Sequence, residues 1–382
     1  MHLIFFTHPS FFESESMPRF THQLMAGMKE RHHTVELWTV EPFFYKMLPG
    51  SFIRKWMGYL DQYVRFPWQV KKRLKTLPKD ALLVITDHAL GAWVPLMAHR
   101  PHVIHCHDFI AQQSALRLLP VYQMSWTGKL YQAYIRSGFR HGKHFISVSK
   151  KTKQDLENLL TSQPITSEVV YNGLNPLHHS YAPADCRTWI RQKWKIDCSQ
   201  GYLLHVGGNQ WYKNRLRVVE IYNAWRETSE QSLPLLLIGS SPDEALQKAC
   251  DASPYEEDIY FLTQINDEEL SRIYSGARLL IFPSKAEGFG LPIAEAMACG
   301  CLVLTIDQAP MTEVAGDAAY LIQPEMELPQ IASFIDNILS QSSQESDLMR
   351  LKGFLNVRRF SQASMLLQME KIYHRICNSS AL

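Results

Sequence analysis

The sequence predicts an α/β protein of two domains, each built around a parallel sheet, and three observations carry that prediction. A chain of 382 residues is too long for one ordinary hydrophobic core. Its opening alternates strand, helix and strand. Leu3–Phe6 is a short apolar run, Phe20, Leu24 and Met28 recur every four residues as a buried helical stripe, and Val35–Val40 is a second strand. The second half carries an apolar strand that turns through glycines directly into a helix, from Leu279 to Gly300. The free N–H groups at such a turn make an anion site.

Composition narrows the class. Apolar residues make up 46% and charged residues 20%, which is globular. The longest uncharged apolar run, Ala89 to Ala98, is about half of what a membrane span needs. Met1 leads straight into the first strand with no leader or cleavage site, so a cytoplasmic address is expected. Seven cysteines, without a Cys-x-x-Cys, indicate neither a zinc knuckle nor a disulfide framework, but small buried side chains in a reducing compartment. The net charge of +2 hides an asymmetry. Residues 1–180 hold 21 Lys and Arg against 12 Asp and Glu, whereas residues 181–382 hold 18 against 25. A basic first half points to an anionic partner, an acidic acceptor or a membrane surface. It is neither basic nor organised enough for nucleic acid.

In the first half, a polar turn over residues 7–15 leads to a helix with Ser16 as its N-cap and Pro18 just inside. The turn has no Gly-x-Gly-x-x-Gly, which excludes a dinucleotide fingerprint. Residues 52–77 are basic and aromatic, with Trp56, Phe66 and Trp68 among Lys71, Lys72, Arg73 and Lys75. Two readings stand: an amphipathic surface for anionic lipid headgroups, or a helix covering the sheet with its aromatics buried, its period interrupted at Pro67. Ala81–Thr86 and His102–His105 are the next strands, and the second ends in His105-Cys106-His107-Asp108. Open α/β sheets bind ligands at that end of their strands. His105 and His107 share a strand face, so a metal site is one reading, although no second His/Asp cluster completes its ligand set. An ordinary crevice or core histidine is the other. Phe145–Ser149 is a strand, Lys150–Leu160 a helix, and Val169–Asn175 closes the half. Pro176–Pro183 reads as a hinge in which His178 and His179 are solvated.

In the second half, a helix over residues 184–196 precedes strand Tyr202–Val206 and the loop Gly207-Gly208-Asn209-Gln210-Trp211-Tyr212-Lys213-Asn214-Arg215. A strand, two glycines and a lysine opening a helix is phosphate-cradle grammar, though too short for a P-loop. Leu235–Gly239 and Ile259–Leu262 are further strands. Leu279–Phe282 suits a buried parallel strand, and Gly288 and Gly290 let a ligand approach the main chain. Pro292 suits a first helical position, and Ile293 onward is helix-former text ended by Gly300. Glu287 and Glu295 bracket the turn, placed to hold hydroxyls on either side of a phosphate. Taken alone, they read equally as a solvated loop acid and an offset to the helix dipole. Met365, Leu366, Met369 and Tyr373 form a last helical stripe.

The Glu287 to Glu295 pattern around Gly288-Phe289-Gly290-Leu291-Pro292 strongly resembles the retaining glycosyltransferases of family four, the glycosyl transferases group 1. Ala296–Leu304, Glu313–Ala319 and Asp267–Ala277 resemble them too, so the likeness covers most of residues 200–325. The resemblance implies the GT-B fold, two Rossmann-like doubly wound domains facing across a cleft. Residues 1–180 would be the acceptor side, with the terminal helix at about 360–382 packing back on it, and residues 181–359 the nucleotide-sugar donor domain. By the same likeness, Lys213 lies against the donor pyrophosphate with Gly207, Gly208 and Asn209. Gly208 stands where the family commonly has an arginine, and Asn209, Arg215 or backbone N–H groups are the candidates to compensate. Ser16-Met17-Pro18-Arg19-Phe20 replaces a glycine-rich loop common in the family. Glu287 would hold donor-sugar hydroxyls, Glu295 the ribose, and Gly288, Phe289, Gly290 and Leu291 the phosphate, with Thr263 beside the base and His107 facing the donor.

The reaction this implies is transfer of a sugar, with retention, to a glycan, lipid-linked or other hydroxyl acceptor. His107, Lys213 and Glu287 would be its catalytic set. No Asp-x-Asp motif is present, and neither metal nor cofactor is expected. Family members sit on membranes, which would place residues 52–77 on the inner face of one. The competing readings are a phosphorolytic or hydrolytic relative using free sugar phosphate, a non-catalytic nucleotide-sugar-binding subunit, and a metal-dependent hydrolase built on His105 and His107.

Overall fold

The computed structural model describes residues 1–9, 11, 16–47, 51–119 and 124–379. Most of the polar turn after the first strand, and the side chains of Ser16 and residues 51–53, lie outside the described residues, and the Ser16 cap with them. Contacts divide the chain into two compact units, residues 1–171 with 363–382, and residues 172–362. Each is organised on a six-stranded, wholly parallel sheet.

The first sheet contains β1 (His2–Phe6), β2 (Thr34–Trp38), β3 (Leu82–Ile85), β4 (His102–Cys106), β5 (His144–Ser147) and β6 (Thr166–Val169), in the order β2-β1-β3-β4-β5-β6. Leu3 lies opposite Val35 on one side and Leu82 on the other. Both faces are covered, which is why Leu3–Phe6 of β1 and the whole of β3 read as unbroken apolar runs. One face carries helices Ser16–Glu30 and Gln362–Ser379, whose Leu24, Met28, Met365, Met369 and Tyr373 pack on Leu3, Phe5 and Val84. The other carries Phe66, Val70, Trp93 and Phe139 against Ile4, Phe6 and Ile85.

The basic, aromatic stretch corrects the expected break at Pro67. Helix Ser51–Leu60 continues through one wide π turn, Asp61–Arg65, into helix Phe66–Leu74, where Pro67 sits at a first-turn position that needs no N–H. The wide turn points Asp61 inward, and its buried carboxylate accepts the N–H groups of Phe43, Phe44 and Tyr45 at 3.0, 3.1 and 2.9 Å. Phe66 is buried, whereas Trp56, Val64 and Trp68 are 57%, 60% and 65% exposed, so the aromatics are divided between the two faces.

The second sheet contains β7 (Leu203–Val206), β8 (Leu235–Ile238), β9 (Ile259–Leu262), β10 (Leu279–Phe282), β11 (Leu302–Ile306) and β12 (Tyr320–Ile322), in the order β12-β11-β10-β7-β8-β9. Its direction of winding reverses between β7 and β10, which pair through Leu203 and Leu279. A doubly wound sheet opens its ligand crevice at such a reversal. The corresponding reversal in the first sheet falls between β1 and β3. Residues 172–180, expected with the first domain, are held by the second unit. Asn175 Nδ2 donates to Asp267 at 2.7 Å, and Ser271 Oγ donates to the Leu177 carbonyl at 2.8 Å. Among the described residues, no helix is long and apolar enough to cross a membrane. All seven cysteines are free, six of them buried.

Candidate functional site

The reversal between β7 and β10 brings two loops together. The Lys285 N–H donates to the Tyr212 carbonyl at 2.7 Å, and Asn214 Nδ2 donates to the Pro283 carbonyl at 3.1 Å. Asn214, at φ 58°, turns the chain from the short turn Trp211–Lys213 into helix Arg215–Thr228. Lys213 Nζ then lies 2.7 Å from Glu287 Oε1, with the ammonium 5.4 Å from the Phe282 ring centroid. Only 16% of the lysine side chain and 9% of the glutamate side chain are exposed, so this is a largely desolvated ion pair.

Three residues after Glu287, Gly290 takes φ 100° and opens helix Leu291–Ala298. That conformation favours glycine; Pro292 has no N–H, and the Ile293 N–H donates to the Gly290 carbonyl at 3.0 Å. Phe289 is buried edge-on against Phe360, with ring centroids 5.2 Å apart. Glu295, one turn into the helix, accepts from Tyr274 Oη at 3.0 Å and lies 3.5 Å from His178 Nε2. Burial, then the Glu295 charge, pushes the Tyr274 phenol well up, so it remains a donor. His178 corrects the solvated reading. It is buried, with Nδ1 3.0 Å from Ser271 Oγ, because its segment crosses helix Asp267–Gly276 (His179 is exposed).

The glycine loop is braced from behind. A Cβ on Gly239, at φ +135°, would stand 2.3 Å from the Gly207 carbonyl oxygen, so the turns after β7 and β8 touch through bare backbone. Asn209 Nδ2 donates to the Ser241 carbonyl at 2.7 Å. Arg215 Nη1 donates to Asn209 Oδ1 at 2.5 Å and to the Ser240 carbonyl at 2.9 Å. The two side-chain candidates to compensate for Gly208 therefore form one cluster. Burial lowers the Arg215 pKa. Behind them His205 Nδ1–H donates to the Ile281 carbonyl at 2.9 Å, and burial, with Arg215 and Lys213 adding, pushes its pKa down to about 3. Thr263, expected beside a base, is exposed at the end of β9.

In the first unit, His107 Nε2–H donates to the Thr86 carbonyl at 2.9 Å, and its ring meets Phe20 edge-on at 4.6 Å. Burial lowers its pKa. His105 has a different role. It is buried with Nε2 2.8 Å from Tyr373 Oη, and burial brings its pKa to about 3, so it belongs to the packing of the terminal helix. Among the described residues, the one three-member group with metal-ligand spacing is His33, Glu370 and His374, and it includes neither His105 nor His107. There Arg31 Nη1 already donates to Glu370 at 2.9 Å. Sequence reasoning missed Asp87. This buried carboxylate, two residues past β3, accepts from His8 Nε2–H at 2.9 Å and lies 3.1 Å from His88 Nδ1. Burial works to raise its pKa, but His8 and His88 hold it well below the usual range. Its available signal was an Asp-His pair at the carboxyl end of a strand, the same signal that marked His107 and Asp108.

Residues 187–350 match the family described as Glycosyl transferases group 1, and residues 17–176 match Glycosyltransferase Family 4. The chain is 30% identical over 194 residues to O-antigen chain mannosyltransferase B of Escherichia coli, covering 50% of this chain and 50% of that protein. It is 26% identical over 269 residues to O-antigen chain mannosyltransferase RfbU of Salmonella typhimurium, covering 69% and 67%. It thus spans about half to two thirds of the length of these curated relatives. Among solved structures, the Anabaena Alr3699/HepE protein in complex with UDP-glucose superposes with a TM-score of 0.70 at 17% identity, covering all of both chains. The fold is GT-B, with two Rossmann-like units.

Proposed function

The chain belongs to the group 1 glycosyltransferases of family four, and on that premise we propose that it moves a sugar, with retention and without a metal, from a nucleotide-sugar donor to a glycan or lipid-linked hydroxyl. The observation that carries this reading is the Lys213–Glu287 pair, set at the winding reversal a few residues before the helix start at Gly290. Breaking the anomeric C–O bond leaves about two negative charges on the departing pyrophosphate. Lys213 and the N–H groups at Gly290 and Leu291 would receive them, and losing one such donor costs about 10²–10³ in rate. Glu287, released from the lysine, would hold sugar hydroxyls, and Glu295, hydrogen-bonded by Tyr274, would take the ribose. The acceptor attacks from the leaving-group face, and its proton passes to the departing phosphate oxygen. The names of the curated relatives favour mannose as the sugar and an O-antigen-type glycan as the acceptor.

Thermal-shift titration against a panel of nucleotide sugars and free nucleoside diphosphates tests the donor. One of them should raise the melting point, and Lys213→Ala and Glu295→Ala should each abolish or sharply cut that rise. Transfer should survive EDTA, and NMR of the product should show the donor's anomeric configuration. Competence without any nucleotide, from free sugar phosphate, would replace this reading with phosphorolysis.

We propose further that the first unit rests on an anionic membrane face through residues 52–77. In support, Trp56, Leu60, Val64 and Trp68 recur every four residues and are exposed, with Lys72 Nζ 5.8 Å from the Trp68 ring centroid. A second stripe, Trp126, Leu130 and Tyr134, is also exposed, on the helix Trp126–Phe139. A 2.7 Å hydrogen bond between Tyr63 and Tyr131 fastens the two helical segments together. Co-sedimentation should be strong with phosphatidylglycerol vesicles, weak with phosphatidylcholine, and lost in Trp56→Ser/Trp68→Ser. Equal binding to both vesicles would refute the electrostatic part of this proposal.

A further inference from the structure

At the amino edge of the second sheet, the end away from Lys213 and Glu287, three arginines line one cavity of about 440 Å³. Arg187 comes from helix Pro183–Trp194, Arg278 immediately precedes β10, and Arg350 comes from helix Ser343–Val357. Ser343 and Ser346, in the first turn of that 15-residue helix, line the same space. The length of a four-residue strand, about 13 Å, separates this edge from the loops that follow β10.

Each guanidinium is anchored by one backbone carbonyl near a helix end. Arg187 Nε donates to Gly276 at 3.0 Å, Arg278 Nη2 to Leu339 at 2.7 Å, and Arg350 Nε to Gly300 at 3.1 Å. The carboxylate among the lining residues is Asp347, 2.8 Å from Arg350 Nη1, with 71% of its side chain exposed. A guanidinium has five N–H donors, so most of those around the cavity are not engaged by these contacts. Capping a helix end accounts for one donor on each arginine. It does not account for three cations gathered around a single opening with one largely exposed counter-charge. Burial and the charges of Arg187 and Arg350 lower the pKa of Arg278, as expected of like charges held close. An anion would relieve that repulsion; the start of the helix at Ser343 adds little, because Ser342 and Glu345 already cap it. Serine hydroxyls and planar guanidiniums are the donors that suit phosphate oxygens.

We propose that this cavity is a second anion site, for a phosphate group that is either free or carried on a small sugar or polyol. The volume leaves room for a carbon body beside the phosphate. The test is calorimetric titration of the full chain with inorganic phosphate and with glucose 6-phosphate at constant ionic strength, in the wild type, Lys213→Ala, Arg187→Gln and Arg278→Gln. At least one ligand should bind saturably. Its affinity should be unchanged in Lys213→Ala and weakened about tenfold or more in each arginine variant. Tighter binding of glucose 6-phosphate would assign the ester, and tighter binding of phosphate the free ion. Failure of both ligands to bind at millimolar concentration overturns the proposal. So does binding that is lost in Lys213→Ala and kept in the arginine variants. Because the Arg278 stem packs on Gly201, Arg350→Gln, at a side chain 32% exposed, carries the same expectation should Arg278→Gln fail to fold. The outcome is independent of the donor reading, which stands or falls on Lys213.

Discussion

Lys213→Met isolates the group on which the donor reading depends. At 2.7 Å the pair's attraction is about 6 kcal/mol at an effective dielectric near 20, and the desolvation of two largely buried charges offsets most of it. Removing one partner leaves the other buried and unpaired, so each of Lys213→Met and Glu287→Gln should destabilise the ligand-free chain by about 2–4 kcal/mol. The double variant should lose less than the sum, by about 1–3 kcal/mol, because both charges then vanish together. Urea unfolding of the four proteins measures that cycle. Melting curves with a saturating nucleoside diphosphate then separate the roles. Lys213→Met should lose the ligand-induced rise, and its turnover should fall about 10²–10³-fold. Glu287→Gln should keep the rise with the diphosphate and lose the additional rise given by the nucleotide sugar. A full diphosphate shift in Lys213→Met would refute the assignment of this lysine to the pyrophosphate, whatever its effect on stability.

Acid should weaken both units through buried neutral histidines. His105 and His205, whose folded pKa values burial lowers to about 3, stay unprotonated while the unfolded chain takes up protons below about 6.5. The unfolded state then binds more protons, so stability falls as pH drops from there toward 3, by about 2 kcal/mol for each histidine at pH 5. Urea unfolding at pH 7.5 and 5 should show the loss, and His205→Gln should flatten the part belonging to the second unit. Tyr274→Phe should cost about 1 kcal/mol of stability and weaken the donor several-fold by freeing Glu295, read from melting and titration of the same sample. Gly239→Ala should destabilise by about 1–3 kcal/mol, since its Cβ would meet the Gly207 oxygen at 2.3 Å, and should reduce donor affinity as the phosphate loop moves. An alanine variant that melts and binds like the wild type would mean the two turns do not brace each other.

What could be read from the chain alone follows from how local each constraint is. β10 and the helix after Gly290 were legible because strand, turn and helix start are consecutive, and the positive φ at the turn calls for glycine. The partner of Lys213 was not, since Glu287 lies 74 residues away and meets it only because β10 pairs with β7 rather than with its sequence neighbour β9. His178 reads as solvated among prolines and polar residues. Its burial is decided by a helix that begins almost ninety residues later, with Ser271 placed to receive it. The stripe from Trp56 to Trp68 was obscured in a different way. A wide turn inserts an extra residue per turn at Asp61–Arg65, so a strict helical period loses register there, and Pro67 looks like the cause of a break. The buried Asp61 that accepts three N–H groups is what holds that turn. Asp61→Ala should therefore leave those donors unpaired, lower stability by about 2–4 kcal/mol and loosen the exposed tryptophan stripe, detectable as faster amide exchange across residues 54–68. Protection unchanged in that segment would place the cause of the wide turn in the packing of Phe66 instead.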